Sequence, residues 1–245
     1  MMLLAVAWFA ASDLATAAQW PQPGGLGTPV SLTYSYQNMF DGALKMPNGQ
    51  PLPADLIRAS IEEALSVWAS VVPLTFVEVP DEGGPIQPGY PNGQFGQIRF
   101  RHAFINGPDP IPGPGQTPFD VATTKAQAYF PTTSNYGGDV EFDDGDRWQP
   151  AGTIPNPDIL GAAIHELGHA LGLRHSNIQQ ANMFRIFTRY SGLGTGQLHQ
   201  DDITRIQSVY GPGQGPVIPL GVPELVTLTL LAAAIGCWFF RRRGR

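Results

Sequence analysis

The feature that most constrains this chain is the pattern HExxHxxGxxH, which runs from His165 to His175. Residues four apart share one face of a helix, so His165 and His169 can direct imidazole nitrogens at a single metal ion. Gly172 can adopt a left-handed conformation that ends the helix and delivers His175 from the following turn. Three imidazoles around Zn²⁺ leave a fourth position open, which is typical of a catalytic zinc. Glu166 is placed to take a proton from a water on the metal.

The residues around the motif carry a family resemblance. The relevant stretches are LTYSY at 32–36, ALSVWASVVPLTF at 64–76, GQIRF at 96–100 and LHQDDITRIQSVYG at 198–211. With the motif, they make residues 28–212 similar to the matrixin family of metzincin zinc peptidases. The alternative, that the motif residues are ordinary helix and core residues, requires five specified positions to coincide. That has a probability on the order of 10⁻⁶ to 10⁻⁷ at a given starting position.

Composition excludes several other classes of protein. The 245 residues allow one substantial domain with terminal extensions. Charged residues make up 14% and the net charge is −6, so no basic surface indicates a nucleic-acid partner. The single cysteine, Cys237, excludes an internal disulfide in this sequence, and its apolar surroundings make it a poor nucleophile.

The two ends of the chain predict export and membrane attachment. Residues 1–18 combine an apolar run with small residues and resemble a secretory signal peptide, the alternative being a loosely packed helix. Residues 19–30 and 213–223 are predicted linkers on either side of a catalytic domain at 31–212. Residues 224–245 hold an uncharged run, 225–240, and an arginine-rich end, which predicts a transmembrane or sorting segment with the domain outside.

A second resemblance concerns that C-terminal segment. Val222-Pro223-Glu224, followed by an apolar helix and arginines, is similar to the sorting signal of bacterial PEP-CTERM proteins, although Leu225 replaces its second proline. The resemblance implies a protein of the cell envelope or cell surface, either anchored in the membrane or released after sorting.

Hydrophobic periodicity predicts the elements before the motif. Residues 31–36, 74–79 and 97–101 read as strands. Pro53 opens a predicted helix whose apolar residues recur at helical spacing, namely Ile57, Ile61, Leu65 and Trp68. With the matrixin resemblance, the expected fold is α+β, a metzincin (zincin-like) domain. It would have a twisted mixed sheet of about five strands, three helices and zinc in the cleft.

The resemblance implies a monomeric zinc endopeptidase that acts on protein or peptide substrates. Such an enzyme hydrolyses the peptide bond through a zinc-bound water, with Glu166 as general base. Two alternatives stay open: a non-catalytic surface-binding module on the same scaffold, and a zinc hydrolase of non-peptide substrates. Retention of both Glu166 and His175 favours an enzyme over a binding module.

A second, structural zinc is not expected. Vertebrate matrixins hold one with three histidines and an aspartate, but two of the histidine positions here correspond to Gln127 and Glu141. Glutamine is a poor zinc ligand, and one carboxylate does not replace two imidazoles. His102 remains nearby, but a lone histidine beside a strand is more often a satisfied surface or core group than a ligand.

Calcium is a separate expectation from the resemblance. Asp120, Asp143 and Asp146 fall where the family places the carboxylates of a loop-clamping Ca²⁺ site, and oxygen ligands suit that ion. The alternative interpretation is an acidic, solvated loop.

Three further residues take expected roles from the resemblance or from their position. Met183 corresponds to the Met-turn, a methionine packed under the three imidazoles. Tyr129 is expected on the edge strand above the cleft, where backbone groups can pair with an extended substrate. His199 precedes acidic residues at the start of a helix and is interpreted as a capping-region residue rather than a ligand.

Overall fold

The strands predicted at 31–36, 74–79 and 97–101 form one side of a five-stranded sheet in the computed structural model. The structure describes residues 18–83, 95–106, 124–132, 136–149, 158–186 and 190–213. Their helices and strands are β1 (Val30–Tyr36), α1 (Ala54–Ala69), β2 (Leu74–Glu78), β3 (Ile98–Ala103), β4 (Ala126–Ala128), β5 (Val140–Asp143), α2 (Ile159–Ala170) and α3 (Gln200–Tyr210). The predicted α+β fold with three helices is confirmed.

The sheet is mixed, with the order β2-β1-β3-β5-β4. β1 runs parallel to both β2 and β3, and β3 runs parallel to β5. β4 is the antiparallel edge strand, with Gln127 opposite Glu141. Parallel strands need crossover connections, and α1 supplies the one between β1 and β2.

Alternation along the strands separates an apolar face from a polar face. Residues such as Leu32, Phe100 and Phe142 are almost fully buried in the core. The opposite face carries charged groups that are buried in pairs. Arg99 is fully buried and donates two hydrogen bonds, of 2.7 and 2.6 Å, to the carboxylate of Asp81. A charge-assisted fork of this kind compensates the loss of hydration of both groups.

α1 and α2 pack together against the apolar core. The predicted stripe on α1 is confirmed, because its four residues are all buried. Trp68, the last of them, donates from its indole Nε1 to the carbonyl oxygen of Ile164 over 2.9 Å. That bond joins α1 to the residue immediately before the motif on α2.

Trp20, which lies in the predicted linker at 19–30, packs against the end of α2. Trp20 is 8% exposed, and its indole donates to the carbonyl oxygen of Ala170 over 3.0 Å. Tyr210, at the end of α3, donates its hydroxyl to the carbonyl oxygen of Leu171 over 2.8 Å. The last carbonyls of a helix lack partners within it, so these two bonds satisfy the C-terminal end of α2.

Residues 1–17 and 214–245 lie outside the described residues. They contain nearly all of the predicted signal peptide and the whole C-terminal apolar run. Across the described ranges, no helix combines the length and apolar character that crossing a membrane requires.

Candidate metal centre

Helix α2 is almost entirely buried and carries the first three motif residues, His165, Glu166 and His169. Its N-terminus is capped by Asp158, whose carboxylate accepts from the backbone N–H of Leu160 over 3.1 Å. Side-chain caps of this kind satisfy the first N–H groups of a helix. The helix continues through His165, Glu166 and His169 and ends at Ala170.

A glycine turn then reverses the chain, as the motif predicts. Gly172 has a φ of 105°, in the region that favours glycine. The N–H of Leu173 donates back to the carbonyl oxygen of Gly168 over 2.9 Å, which closes the turn. His175 follows three residues after Gly172 and points its ring at the two helical histidines.

The three imidazoles converge on one point. Ring centroids are 4.8 Å apart for His165–His169 and for His169–His175, and 5.3 Å apart for His165–His175. Their ligand atoms all lie within 4.8 Å of one another. Across the ranges that the structure describes, no other group of three or more His, Cys, Asp or Glu side chains is arranged to hold a metal ion.

Backbone carbonyls orient two of the rings. Nδ1 of His165 donates to the carbonyl oxygen of Asn182 over 2.6 Å, and Nδ1 of His169 donates to that of Leu173 over 2.6 Å. In both rings the proton is therefore on Nδ1, and the Nε2 lone pair is left to bind a metal. Nε2 of His165 lies 3.3 Å from Nε2 of His175.

The local environment keeps these imidazoles uncharged. Burial, with the neighbouring His169, lowers the pKa of His165 to about 3. Burial likewise lowers the pKa of His169 to about 4. The pKa of His175 is lowered by partial burial and by the charges of Arg185 and Arg205. Zinc binds neutral imidazole, so the donor set fits a Zn²⁺ ion.

Glu166 directly follows the ligand His165 on α2 and is buried. The residue is 5% exposed, and burial alone raises the pKa of its carboxyl group to about 8. A carboxyl group with a pKa near neutrality is suited to exchanging protons during a reaction. Its position on α2 next to His165 agrees with the role that the motif predicts.

Met183 is fully buried beneath the ligand helix. A Cβ added to Gly168 would overlap the Met183 sulfur, so the glycine makes room for the thioether. The carbonyl oxygen of Met183 also accepts from the N–H of Ser176, next to His175, over 2.6 Å. The structure therefore places Met183 against both parts of the motif, where the resemblance to metzincins puts a Met-turn.

Asp202 also belongs to this site. From the sequence it was only one of the acidic residues predicted at the start of a helix. It is fully buried, and its carboxylate accepts from the N–H groups of Asn182 over 2.8 Å and Met183 over 3.0 Å. Because the Asn182 carbonyl orients His165, Asp202 acts on the metal centre through one intervening residue. His199 is the N-cap of α3 within a capping box, which confirms its interpretation as a capping residue.

The comparisons with known proteins agree with this geometry. A family model described as Matrixin matches residues 43–211. The chain belongs to the matrixin family. It is 36% identical over 171 residues to interstitial collagenase of Oryctolagus cuniculus, a match that covers 68% of this chain and 32% of the collagenase. It is 35% identical over 163 residues to stromelysin-1 of Equus caballus, covering 66% of this chain and 30% of the stromelysin.

This matrixin therefore spans about a third of the length of the curated relatives that it matches. The matched residues contain strands β2 to β5, all three helices and the three histidines. Matrixins use zinc, and the histidine triad supplies the donors for it.

The edge strand of this matrixin corrects the expected role of Tyr129. Tyr129 directly follows β4, but its N–H donates to the carbonyl oxygen of Asp139 over 2.9 Å and its carbonyl accepts from Gly138 over 3.0 Å. Both backbone groups therefore point inward. In an antiparallel pair, the backbone N–H and C=O groups of successive residues point alternately toward and away from the partner strand. On β4, the groups that point away from β5 are therefore those of Ala126 and Ala128.

The expected ligand positions of a second zinc form a different arrangement here. Gln127 donates to the carboxylate of Glu141 over 2.5 Å, and Arg101 donates to the other oxygen of the same carboxylate. The three residues are neighbours across β4, β5 and β3. Their side chains thus join three strands through hydrogen bonds.

His102 is satisfied by two carboxylates on separate loops. Its Nδ1 lies 2.8 Å from an oxygen of Asp144, and its Nε2 lies 3.0 Å from an oxygen of Asp41. This agrees with its interpretation as a satisfied group.

The structure describes two of the three residues expected to bind calcium. The carboxylate of Asp143 accepts from the N–H groups of Ile105, Asn106 and Gly145, over 3.2, 3.1 and 2.8 Å. Asp146 pairs with Lys125 at 3.1 Å. Asp120 lies outside the described residues, so calcium binding stays a prediction.

Asp139 is a buried carboxyl group that the sequence did not single out. It is 1% exposed, and neither of its carboxylate oxygens has a hydrogen-bond partner among the residues that the structure describes. Burial raises its pKa to about 7, although the charges of Arg101 and Arg99 oppose the shift. A carboxyl group in this environment is held mainly in its protonated form below neutrality.

Glycines of the loop before α3 are tied to α1 through Glu63. The carboxylate of Glu63 accepts from the N–H groups of Gly194 over 2.6 Å and Gly196 over 2.7 Å. In the same loop, the hydroxyl of Tyr190 donates to the carbonyl oxygen of Gln197 over 2.6 Å. The path of this loop could not be derived from the sequence, because these contacts join it to a helix some 130 residues earlier.

Proposed function

We propose that this matrixin is an exported, zinc-dependent endopeptidase that uses Glu166 as its general base. The observation that carries the proposal is the convergence of three neutral imidazoles, one of which is followed directly on α2 by the buried carboxyl group of Glu166. Membership of the matrixin family supports it, as do the matches to proteins named interstitial collagenase and stromelysin-1.

His165, His169 and His175 would hold the zinc ion. Bound zinc supplies Lewis acidity, which favours negative charge on the oxygen of a peptide carbonyl. Glu166 takes a proton from the attacking water and returns it to the nitrogen of the leaving amine. Its raised pKa makes it a stronger base than an ordinary glutamate, and its burial limits exchange of that proton with solvent.

The outward-facing backbone groups of β4 would hold the substrate. An extended peptide can add a strand to an exposed sheet edge through main-chain hydrogen bonds. Ala126 and Ala128 supply such groups at the strand next to the metal centre. This mode of binding depends little on the side chains of the peptide, which suits an endopeptidase.

Export and attachment belong to the same proposal. They rest on the apolar run and small residues at 1–18 and on the uncharged run at 225–240 followed by arginines. The catalytic domain would then act outside the cell membrane, either anchored there or released after sorting.

Replacement of Glu166 by glutamine tests the central claim. The full chain and the variant are loaded with zinc, analysed for metal content and incubated with unfolded casein. Both are expected to hold zinc, because glutamine has a similar size and Glu166 is not a ligand. The variant should be slower by a factor on the order of 10³. Equal rates would show that Glu166 is not the base, whereas a zinc-loaded natural chain that cleaves nothing would favour the non-catalytic binding module.

A further inference from the structure

Arg174 lies next to the ligand His175 in the chain and close to the ring of Phe130, which packs against the ligand His169. It directly precedes the third ligand, His175, and it is exposed. Its guanidinium carbon lies 5.9 Å from the centroid of the Phe130 ring. The Phe130 ring in turn lies 5.7 Å from the ring of His169, edge to face. The positive charge of Arg174 is therefore held at the mouth of the site by a cation–π contact.

Within the described parts of the chain, Arg174 differs from three other arginines because it pairs with no carboxylate. Arg99 binds Asp81, Arg101 binds Glu141, and Arg58 binds Glu78 at 2.7 Å. An exposed arginine at a ligand-binding cleft has its five N–H donors available for a planar acceptor.

The surroundings of Arg174 add to its positive charge. Arg205 lies beside the same turn, because its Nη2 donates to the carbonyl oxygen of Arg174 over 2.9 Å. Asp201 partly offsets Arg205, at 3.8 Å. The whole chain has a net charge of −6, so a positive rim around the metal centre is a local departure from its overall charge. Such a rim attracts anionic groups toward the cleft.

We propose that Arg174, supported by the ring of Phe130, is a specificity-determining residue that binds a carboxylate of the substrate. This inference rests on the proposed endopeptidase function. A peptide paired with the outward edge of β4 would run past Phe130, which lies two residues beyond the end of the strand. The carboxylate belongs to an acidic side chain or to the C-terminus of the peptide, and Arg174 binds it with two parallel hydrogen bonds.

The test compares matched peptides on the zinc-loaded full chain. A quenched-fluorescence peptide is taken from the first cut in unfolded casein, and Glu or Gln is placed at one position at a time around the scissile bond. At one position kcat/KM should be about tenfold higher for Glu than for Gln, as expected for one charge-assisted hydrogen-bonded pair. Arg174→Gln should reduce that ratio to about one, and Arg174→Glu should favour a Lys peptide.

Two further variants separate recognition from general effects. Arg147→Gln is the matched control, because Arg147 is also exposed but donates to the carbonyl oxygen of its neighbour Asp146, over 3.4 Å. It should leave the Glu-to-Gln ratio as it is. Phe130→Leu keeps an apolar side chain but removes the aromatic face, so the ratio should fall without reaching one.

The source of the carboxylate is resolved by amidating the C-terminus of the peptide. A fall of about tenfold in kcat/KM on amidation, absent in Arg174→Gln, assigns the terminal carboxylate. A Glu-to-Gln ratio of about ten that amidation leaves unchanged assigns the side chain. The same Glu-to-Gln ratio is also measured as relative affinity in the Glu166→Gln background. Overlapping casein peptides serve for this measurement if no cut has defined the sequence, so the inference remains testable even if no peptide is cleaved. A ratio near one in the natural chain with no effect of amidation, or a preference that persists unchanged in Arg174→Gln, would overturn it.

Discussion

Nη2 of Arg205 donates to the carbonyl oxygen of Arg174 over 2.9 Å. The same nitrogen lies 3.5 Å from the carbonyl oxygen of His175. Helix α3 therefore holds the backbone of the turn that delivers the third metal ligand. Neither carbonyl belongs to a regular helix or strand, so the guanidinium is a fixed support for an otherwise irregular segment.

Replacement of Arg205 by alanine is expected to weaken zinc binding by about tenfold, the low end of the effect of removing a group that supports a ligand. The measurement is competition for zinc against a chelator of known affinity. Arg205→Lys should recover part of the loss, since one ammonium group can still donate to one carbonyl. Arg147→Ala is the control. Unchanged affinity in Arg205→Ala would mean that the turn holds its shape without α3.

Zinc should remain bound at a pH well below the ordinary pKa of histidine. The pKa values of about 3 for His165 and about 4 for His169 keep these two imidazoles free of protons down to about pH 4, and the pKa of His175 is also lowered. Zinc content after dialysis at stepwise lower pH measures this, with a peptide of residues 159–176 as the unfolded reference. If both lose zinc near pH 6, the fold does not protect the imidazoles from protonation.

Replacement of Asp139 by asparagine should stabilise the fold at alkaline pH. The pKa of Asp139 is raised to about 7, so the folded state binds more protons than the unfolded state between about pH 4 and pH 7. The free energy of unfolding of the natural chain therefore falls as the pH rises through that window, by at most about 4 kcal/mol.

The measurement for Asp139 is urea unfolding at pH 4 and pH 8 in calcium-free buffer. The free energy of unfolding of the Asn variant should be higher than that of the natural chain at pH 8 and close to it at pH 4. A variant less stable at pH 8 would show that the ionised carboxylate has a stabilising partner in solution.

Glu141→Gln should lower the melting temperature without changing the zinc content of one per chain. The change leaves Arg101, a largely buried cation, without its carboxylate partner. A loss of about 5 °C is expected for a domain of this size. Glu78→Gln, which breaks the exposed pair with Arg58, is the control and should change little. Two zinc ions per natural chain by elemental analysis would contradict the metal-free interpretation of this cluster.

If Asp120, Asp143 and Asp146 bind calcium, its removal should lower the melting temperature through the loss of a ligand of the folded state. The measurement is thermal unfolding of the zinc-loaded chain with and without added Ca²⁺. Identical melting temperatures would favour the solvated-loop interpretation.

Local patterns allowed the metal ligands and α1 to be predicted, because both depend on spacing along one helix. Contacts between distant segments could not be read in this way. Asp202 and Arg205 look like ordinary residues of an exposed helix until α3 is packed against the turn at His175. Tyr129 shows a related difficulty, because a one-residue change in register exchanges the inward-facing and outward-facing groups of a strand. Its position beside the edge was predicted, but the direction of its hydrogen bonds was not.

The bonds from Trp20 and Tyr210 to the end of α2 define which fragment of this matrixin can be used in the laboratory. A fragment that begins at β1 would omit Trp20 and leave the carbonyl oxygen of Ala170 buried without its donor. Loosening would start at the residue where α2 gives way to the glycine turn, and so directly beside His169 and His175. The effect of an N-terminal truncation, made far from the motif in sequence, would then be mistaken for a defect of the zinc site. A fragment of residues 18–213 keeps both bonds.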